Sequence, residues 1–242
     1  MKKTSFVILS LLAAGIATAR DLYTPEEHSI TPVGLDLASP IALPSSSWSV
    51  YGLRLDFLYG SNWNVYGLDL GLAARTTANQ YGLALSAGNW VEADQCGVAF
   101  GAIGNFVRGN VSGVQIAGLI NYNRGVAEAF QLAPININGA FYGAQFGAVN
   151  INFGETGGGL QFGIYNNTRC QFTGAAIGII NCAQQNMNGC QIGIINVAAE
   201  SGSGCQIGLF NGAEKFEGVQ IGLLNIISQS SVSLSPIVNA NF

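Results

Sequence analysis

Apolar and polar residues alternate in short runs along most of this chain. Leu53, Leu55 and Phe57 fall on one side of such a run, and Arg54 and Asp56 on the other. Val219, Ile221 and Leu223 stand likewise against Gln220 and Gly222. A period of two over six to eight residues predicts a β-strand with unlike faces. Between runs lie turn-prone stretches such as Ala198-Ala199-Glu200-Ser201-Gly202-Ser203. A helix is excluded because glycine recurs inside every run and no 3.6-residue period emerges.

The runs are copies of one another. Gly189-Cys190-Gln191-Ile192-Gly193-Ile194-Ile195-Asn196 is followed by Gly204-Cys205-Gln206-Ile207-Gly208-Leu209-Phe210-Asn211, and then by Gly218-Val219-Gln220-Ile221-Gly222-Leu223-Leu224-Asn225. Looser copies begin at Gly52, Gly67 and Gly82, and Ala129 takes the leading slot in one copy. Neighbouring copies are 14 to 16 residues apart. Such a period marks a repeat architecture.

Two all-β architectures follow from a unit of about 15 residues. In the first, each unit is one strand of about 11 residues plus a tight turn, long enough to cross a bilayer at a tilt. With the central isoleucines facing each other, Gln would meet Gly across each antiparallel pair, and Cys182 with Met187 would clamp the turn Ala183 to Asn186. Adding an N-terminal strand near Thr31–Ala38 and a C-terminal strand near Val232–Phe242 makes about 14 strands, an even number as in outer-membrane barrels. The terminal Phe242 on an alternating strand resembles the insertion signal of those barrels. This antiparallel meander, closed as an outer-membrane-type β-barrel, is the first expectation. The alternative is a parallel β-solenoid with about 15 residues per coil, in which like stacks on like and Cys190 lies beside Cys205.

The N-terminus reads as an export leader. Lys2 and Lys3 precede the apolar stretch Phe6 to Ala17, and Ala17-Thr18-Ala19 provides small residues for cleavage. The expected organisation is a leader over 1–19, a lead-in over 20–47 and one repeat domain over 48–242. Without Lys2 and Lys3 the chain keeps 7 basic against 13 acidic residues, a net charge of −6. That balance argues against nucleic acid. Charged residues make up only 9% of the chain, well below the roughly 25% of ordinary soluble domains. Much of the outer surface is therefore expected to avoid water, with membrane lipid as its partner.

The repeat unit resembles a family of bacterial surface-repeat proteins from spirochaetes and other Gram-negative lineages, whose unit reads G-x-Q-I-G-L-x-N. The resemblance extends to the lead-in Ser39-Pro40-Ile41-Ala42-Leu43-Pro44 and to the ending Pro236-Ile237-Val238-Asn239-Ala240-Asn241-Phe242. It implies exposure at the outer membrane or cell surface and carries no biochemical activity with it. This chain lacks the lipid-acceptor Cys of some relatives.

Little in the chain suggests catalysis. His28 is the single histidine, and no nucleophile-base set assembles around it. No Cys or His spacing suits a metal. Gly154-Glu155-Thr156-Gly157-Gly158-Gly159 lacks the Gly-Lys-Ser/Thr of a phosphate loop. No catalytic, cofactor-binding or metal residue is assigned. The charges deep inside strands are Arg54, Asp56 and Asp69, expected to line a lumen in a barrel or an outer face in a solenoid. Tyr51, Tyr66, Tyr81 and Tyr142, each before a leading glycine, fit an interfacial girdle or cross-strand packing. The expected role is structural or pore-like at the outer membrane; the alternative is an extracellular adhesion or binding scaffold, its Gln-lined face turned to solvent.

Overall fold

The structure is a computed structural model that describes residues 29–38, 41–43, 45–169 and 171–242. The expected leader, His28 and Cys170 lie outside these residues. The strands are β1 (Ile30–Ala38), β2 (Ile41–Leu43), β3 (Ser49–Asn62), β4 (Val65–Thr76), β5 (Gln80–Val91), β6 (Gln95–Val107), β7 (Val111–Ala117) and β8 (Ile120–Leu132). They continue as β9 (Ile135–Phe146), β10 (Val149–Asn152), β11 (Thr156–Thr168), β12 (Gln171–Ala183), β13 (Asn186–Ile192), β14 (Ile195–Ile207), β15 (Phe210–Ile227) and β16 (Leu234–Asn241). The described residues contain no helix.

From β3 to β15 every neighbouring pair runs parallel and in repeat register. Gly174, Gly189, Gly204 and Gly218 are successive partners, as are Gln191, Gln206 and Gln220. The chain therefore winds as a β-solenoid of about 13 turns, and the antiparallel barrel of about 14 strands does not form. Cys182 and Met187 clamp no hairpin, since Cys182 pairs with Asn167 on one side and Val197 on the other. The physical reason lies in the amides. The antiparallel register would set each Gln side chain opposite a glycine, whereas parallel stacking sets amide on amide, where donor meets acceptor.

Counting the leading glycine as position one, the residues that point inward are the one two places before it and those at positions three, eight and ten. In one coil these are Met187, Gln191, Asn196 and Ala198, all buried. The step from Gln191 to Asn196 is odd, so a strict alternation would send one of them outward. The bend at Gly193-Ile194 resets the parity and turns the chain around the core. A second bend comes at the leading glycine. Gly189 has φ 134°, and a Cβ there would collide with the carbonyl oxygen of Gly174 in the coil before. Position five is as tight: a Cβ on Gly193 would strike the Gly178 carbonyl and the Asn181 amide.

The core mixes apolar and amide columns. Phe172, Met187 and Phe216 pack with Ala183, Ala198, Ala213 and Ile227 in one apolar cluster, and Val91, Val107, Val111, Ala127 and Phe141 in another. Both ends are covered. β16 pairs antiparallel with β15, and β1 lies parallel on β3 with β2 antiparallel outside it. Such terminal strands break the parallel repeat register at both ends and so interrupt the template that identical coils would otherwise offer to other chains.

Candidate functional site

The structure puts the polar side of each strand inside. Arg54, Asp56 and Asp69 line neither a lumen nor an outer face; they are 0%, 3% and 1% exposed. Nor do the glutamines face solvent, since Gln115, Gln131, Gln145, Gln191 and Gln206 are fully buried. The buried slot at position three is filled by Arg54 and Asp69 in the first coils, by Ala84 and Ala99 in the next two and mostly by glutamines later, so the stacking itself brings the charges together.

Asp69 binds Arg54 in a two-pronged pair: Arg54 Nε donates to Oδ1 at 2.8 Å and Nη2 to Oδ2 at 2.5 Å. Arg54 Nη1 donates to the Arg75 carbonyl at 2.7 Å, and Gln80 Nε2 adds a donor to Asp69 at 2.9 Å. Asp56 lies 3.1 Å from Arg54 Nε, but that N–H is aimed at Asp69. Neither Asp56 oxygen finds a donor, and Oδ1 of Asp36 lacks one too. Burial pushes Asp56 up to about 8 against the attraction of Arg54, with Asp69 and Asp36 adding repulsion. Burial also raises Asp36. A proton on Asp56, shared toward Asp36, removes the repulsion between the two carboxylates. Burial lowers the Arg54 pKa, but Asp69, Asp56 and Asp36 more than offset this and raise it.

Two amide ladders extend from this cluster. Asparagines at the position-eight column, from Asn89 to Asn211, each donate through Nδ2 to Oδ1 of the next coil at 2.7–3.0 Å, the last acceptor being Asn225. Most also donate to a position-four carbonyl in that next coil, as Asn181 does to Ile192 O at 2.9 Å. The glutamines donate the other way. Gln161, Gln145, Gln131, Gln115, Gln95 and Gln80 each donate toward the N-terminus, and the series ends on Asp69. An acceptor-only carboxylate is the natural end for a line of donors. Ala176 interrupts the series, and Gln220, Gln206 and Gln191 form a second run.

The outward rows are apolar. Position four carries Leu85, Phe100, Leu132, Phe162, Ile192, Ile207 and Ile221, and position six carries Phe57, Leu72, Ile164, Ile179, Ile194, Leu209 and Leu223, all more than a third exposed. Over the last coils the position-five glycines form a floor between these rows. The result is an open trough of about 740 Å³, walled by isoleucine and leucine. Charges keep to the turn side: Glu155, Arg169, Glu200, Glu214, Lys215 and Glu217 all lie outside positions two to nine of these coils.

In comparison with known proteins, no family, no curated protein and no solved structure matches this chain. The site is therefore described by its own geometry. Sealed charges and amides offer no surface for a substrate, whereas the apolar strip and trough face outward over the length of the solenoid. Tyr51 and Tyr66 stack at 4.3 Å between ring centroids, and Tyr66 and Tyr81 at 5.0 Å, so these three pack on one another. Tyr142 stands apart and donates to Thr156 Oγ1 at 2.7 Å.

The trough was missed from the sequence because an apolar row normally signals a core. Two signals were available. The isoleucine pair Ile194-Ile195 breaks the alternation, and position five is glycine in six consecutive coils from Gly147 to Gly222. Cys190 and Cys205 are joined as a disulfide with Cα atoms 4.7 Å apart, the arrangement tied to parallel stacking. Cys96 and Cys182 are free thiols.

Proposed function

We propose that this chain is an exported, non-enzymatic β-solenoid scaffold that acts at the cell surface by contact through its apolar outer strip. The strip carries the reading. A monomeric surface seldom keeps a contiguous apolar patch beyond a few hundred Å² unless it binds something. The leader-like N-terminus and the resemblance to surface-repeat proteins support export to a Gram-negative envelope. A pore-like role finds no support, because glutamine, asparagine and apolar columns fill the interior of the described coils. Buried, mutually bonded amides suit a rigid support for a contact surface.

Expression of the full chain in a Gram-negative host tests this. The expected product begins at Arg20, is released by carbonate from the membrane fraction and folds without detergent. Retention in the carbonate-washed membrane, with folding only in detergent, would sink the scaffold reading.

A further inference from the structure

We infer that the trough of the last coils is a self-association surface, and that its occupant is the ridge of a second copy of this chain. The inference rests on the contact-scaffold reading and names the partner for the C-terminal part of the strip. The trough is two walls with a glycine floor. One wall is the position-four row, with Phe162, Ile192 and Ile207 at 52%, 39% and 40% exposed, and the other is the position-six row, with Ile179, Leu209 and Leu223 at 46%, 50% and 65%. Glycines such as Gly193 and Gly208 form the floor between them. Four coil spacings make it about 20 Å long.

Three observations select a second copy. The first is shape. Turned face to face about a two-fold axis, the position-six ridge of each copy drops into the glycine trough of the other. Each ridge then lies between the partner's two walls, as an isologous interface requires. The second is period. Both surfaces repeat at the strand spacing of about 4.8 Å, so side chains that mesh at one coil mesh at all of them, as in paired sheets with dry, interdigitated side chains. A partner without that repeat gains no such coherence. The third is area and charge. The exposed apolar side chains of these coils present an area of the same order as the roughly 800 Å² per partner that a stable interface buries. Their acidic turns point away and stay solvated in the pair. Lys215 is the sole lysine of the last five coils, with Arg169 the sole arginine. Protein surfaces that lie on membranes are typically rich in Lys and Arg beside their apolar face.

The trough has a stop. Ile237 in β16 pairs with Gly222, so a bulky residue stands where the glycine floor would continue. Ile237 is 72% exposed and has φ 70°, a conformation that a β-branched residue rarely adopts. It ends the trough and limits how far a partner ridge can slide.

Sedimentation velocity on the purified mature chain, 20–242, from micromolar to hundred-micromolar concentrations, tests the pairing. The wild type is expected as a dimer. Ile179→Lys and Leu209→Lys, each at an outward position, are expected as monomers with unchanged circular dichroism, and the milder Ile179→Gln as a weakened dimer should the lysine variants fail to fold. Glu200→Lys on the turn side should stay dimeric. A wild type that is monomeric throughout, or a dimer that survives every trough substitution, would overturn the inference while leaving the scaffold reading intact. So would flotation of monomers on phosphatidylcholine vesicles, which would assign the trough to lipid. A chain recovered only in detergent would instead remove the scaffold reading itself.

Discussion

The first coils and the last coils solve one problem in two ways. Both stack a buried polar slot at position three. In β13–β15 that slot holds Gln191, Gln206 and Gln220, neutral amides that bond to their own kind at 2.7 Å. In β3 and β4 it holds Arg54 and Asp69, which bond to each other and to Gln80. A glutamine column can be lengthened coil by coil, since each unit supplies the donor and the acceptor that the next one needs. An ion pair cannot, because a cation and an anion close on each other and leave nothing to propagate. Asp69 therefore ends the glutamine series, and the charged coils sit beside the N-terminal cap while the uniform coils carry the open trough. The second run, Gln191 to Gln220, stops less completely at its C-terminal end: Gln220 Oε1 has no donor.

Removing one partner from each region measures the difference. Asp69→Ala leaves Arg54 buried without its carboxylate and is expected to cost about 3–5 kcal/mol, as for a broken buried ion pair. Asn181→Ala breaks the asparagine ladder among the uniform coils. It removes the rungs to Asn166 and Asn196 and the bond to Ile192 O, at an expected cost of about 2–3 kcal/mol from buried groups left unbonded. Urea unfolding midpoints at neutral pH compare the two. Equal losses would show that charge adds nothing to the first coils beyond what an amide supplies.

The smallest effect per step concerns Asp56. Its folded pKa of about 8 lies above the value of about 3.9 for an unfolded aspartate. From pH 4 to pH 8 the unfolded chain has lost this proton and the folded chain keeps it, so stability falls with rising pH across that window and levels above it. The slope approaches about 1.4 kcal/mol per pH unit. Asp56→Asn should flatten that part of the profile, measured as denaturation midpoints from pH 4 to pH 9. An unchanged slope in the variant would mean that another group, Asp36 first among them, holds the proton.

Much of this was readable before the fold. The strands, the repeat length and the closing strands β1 and β16 follow from alternation and turn residues, whereas the Cys190–Cys205 bond was expected only of the solenoid alternative, the barrel register leaving both thiols unpaired and facing lipid. The direction of stacking was not readable. An antiparallel meander met the same glycine and isoleucine pattern with sensible contacts, and the low charge suggested lipid outside. The outcome turned on Asn196 and Gln191, whose amides need partners of their own kind once buried. Arg54, Asp56 and Asp69 were recognised as unusual, but they were placed on an open face by the ordinary rule that polar sides meet water.

The sequence by itself determined that strands of one pattern recur about every 15 residues, with two unlike faces and glycine at the bends. Alternation and glycine tolerance are local, set by sterics within one or two residues. Only the tertiary structure decided which face is inside. That choice depends on whether amides and charges meet partners from neighbouring coils 14 to 16 residues away in sequence. Once Asn, Gln, Arg and Asp satisfy one another along the axis, the isoleucine and leucine rows are left outside, where they wall the trough.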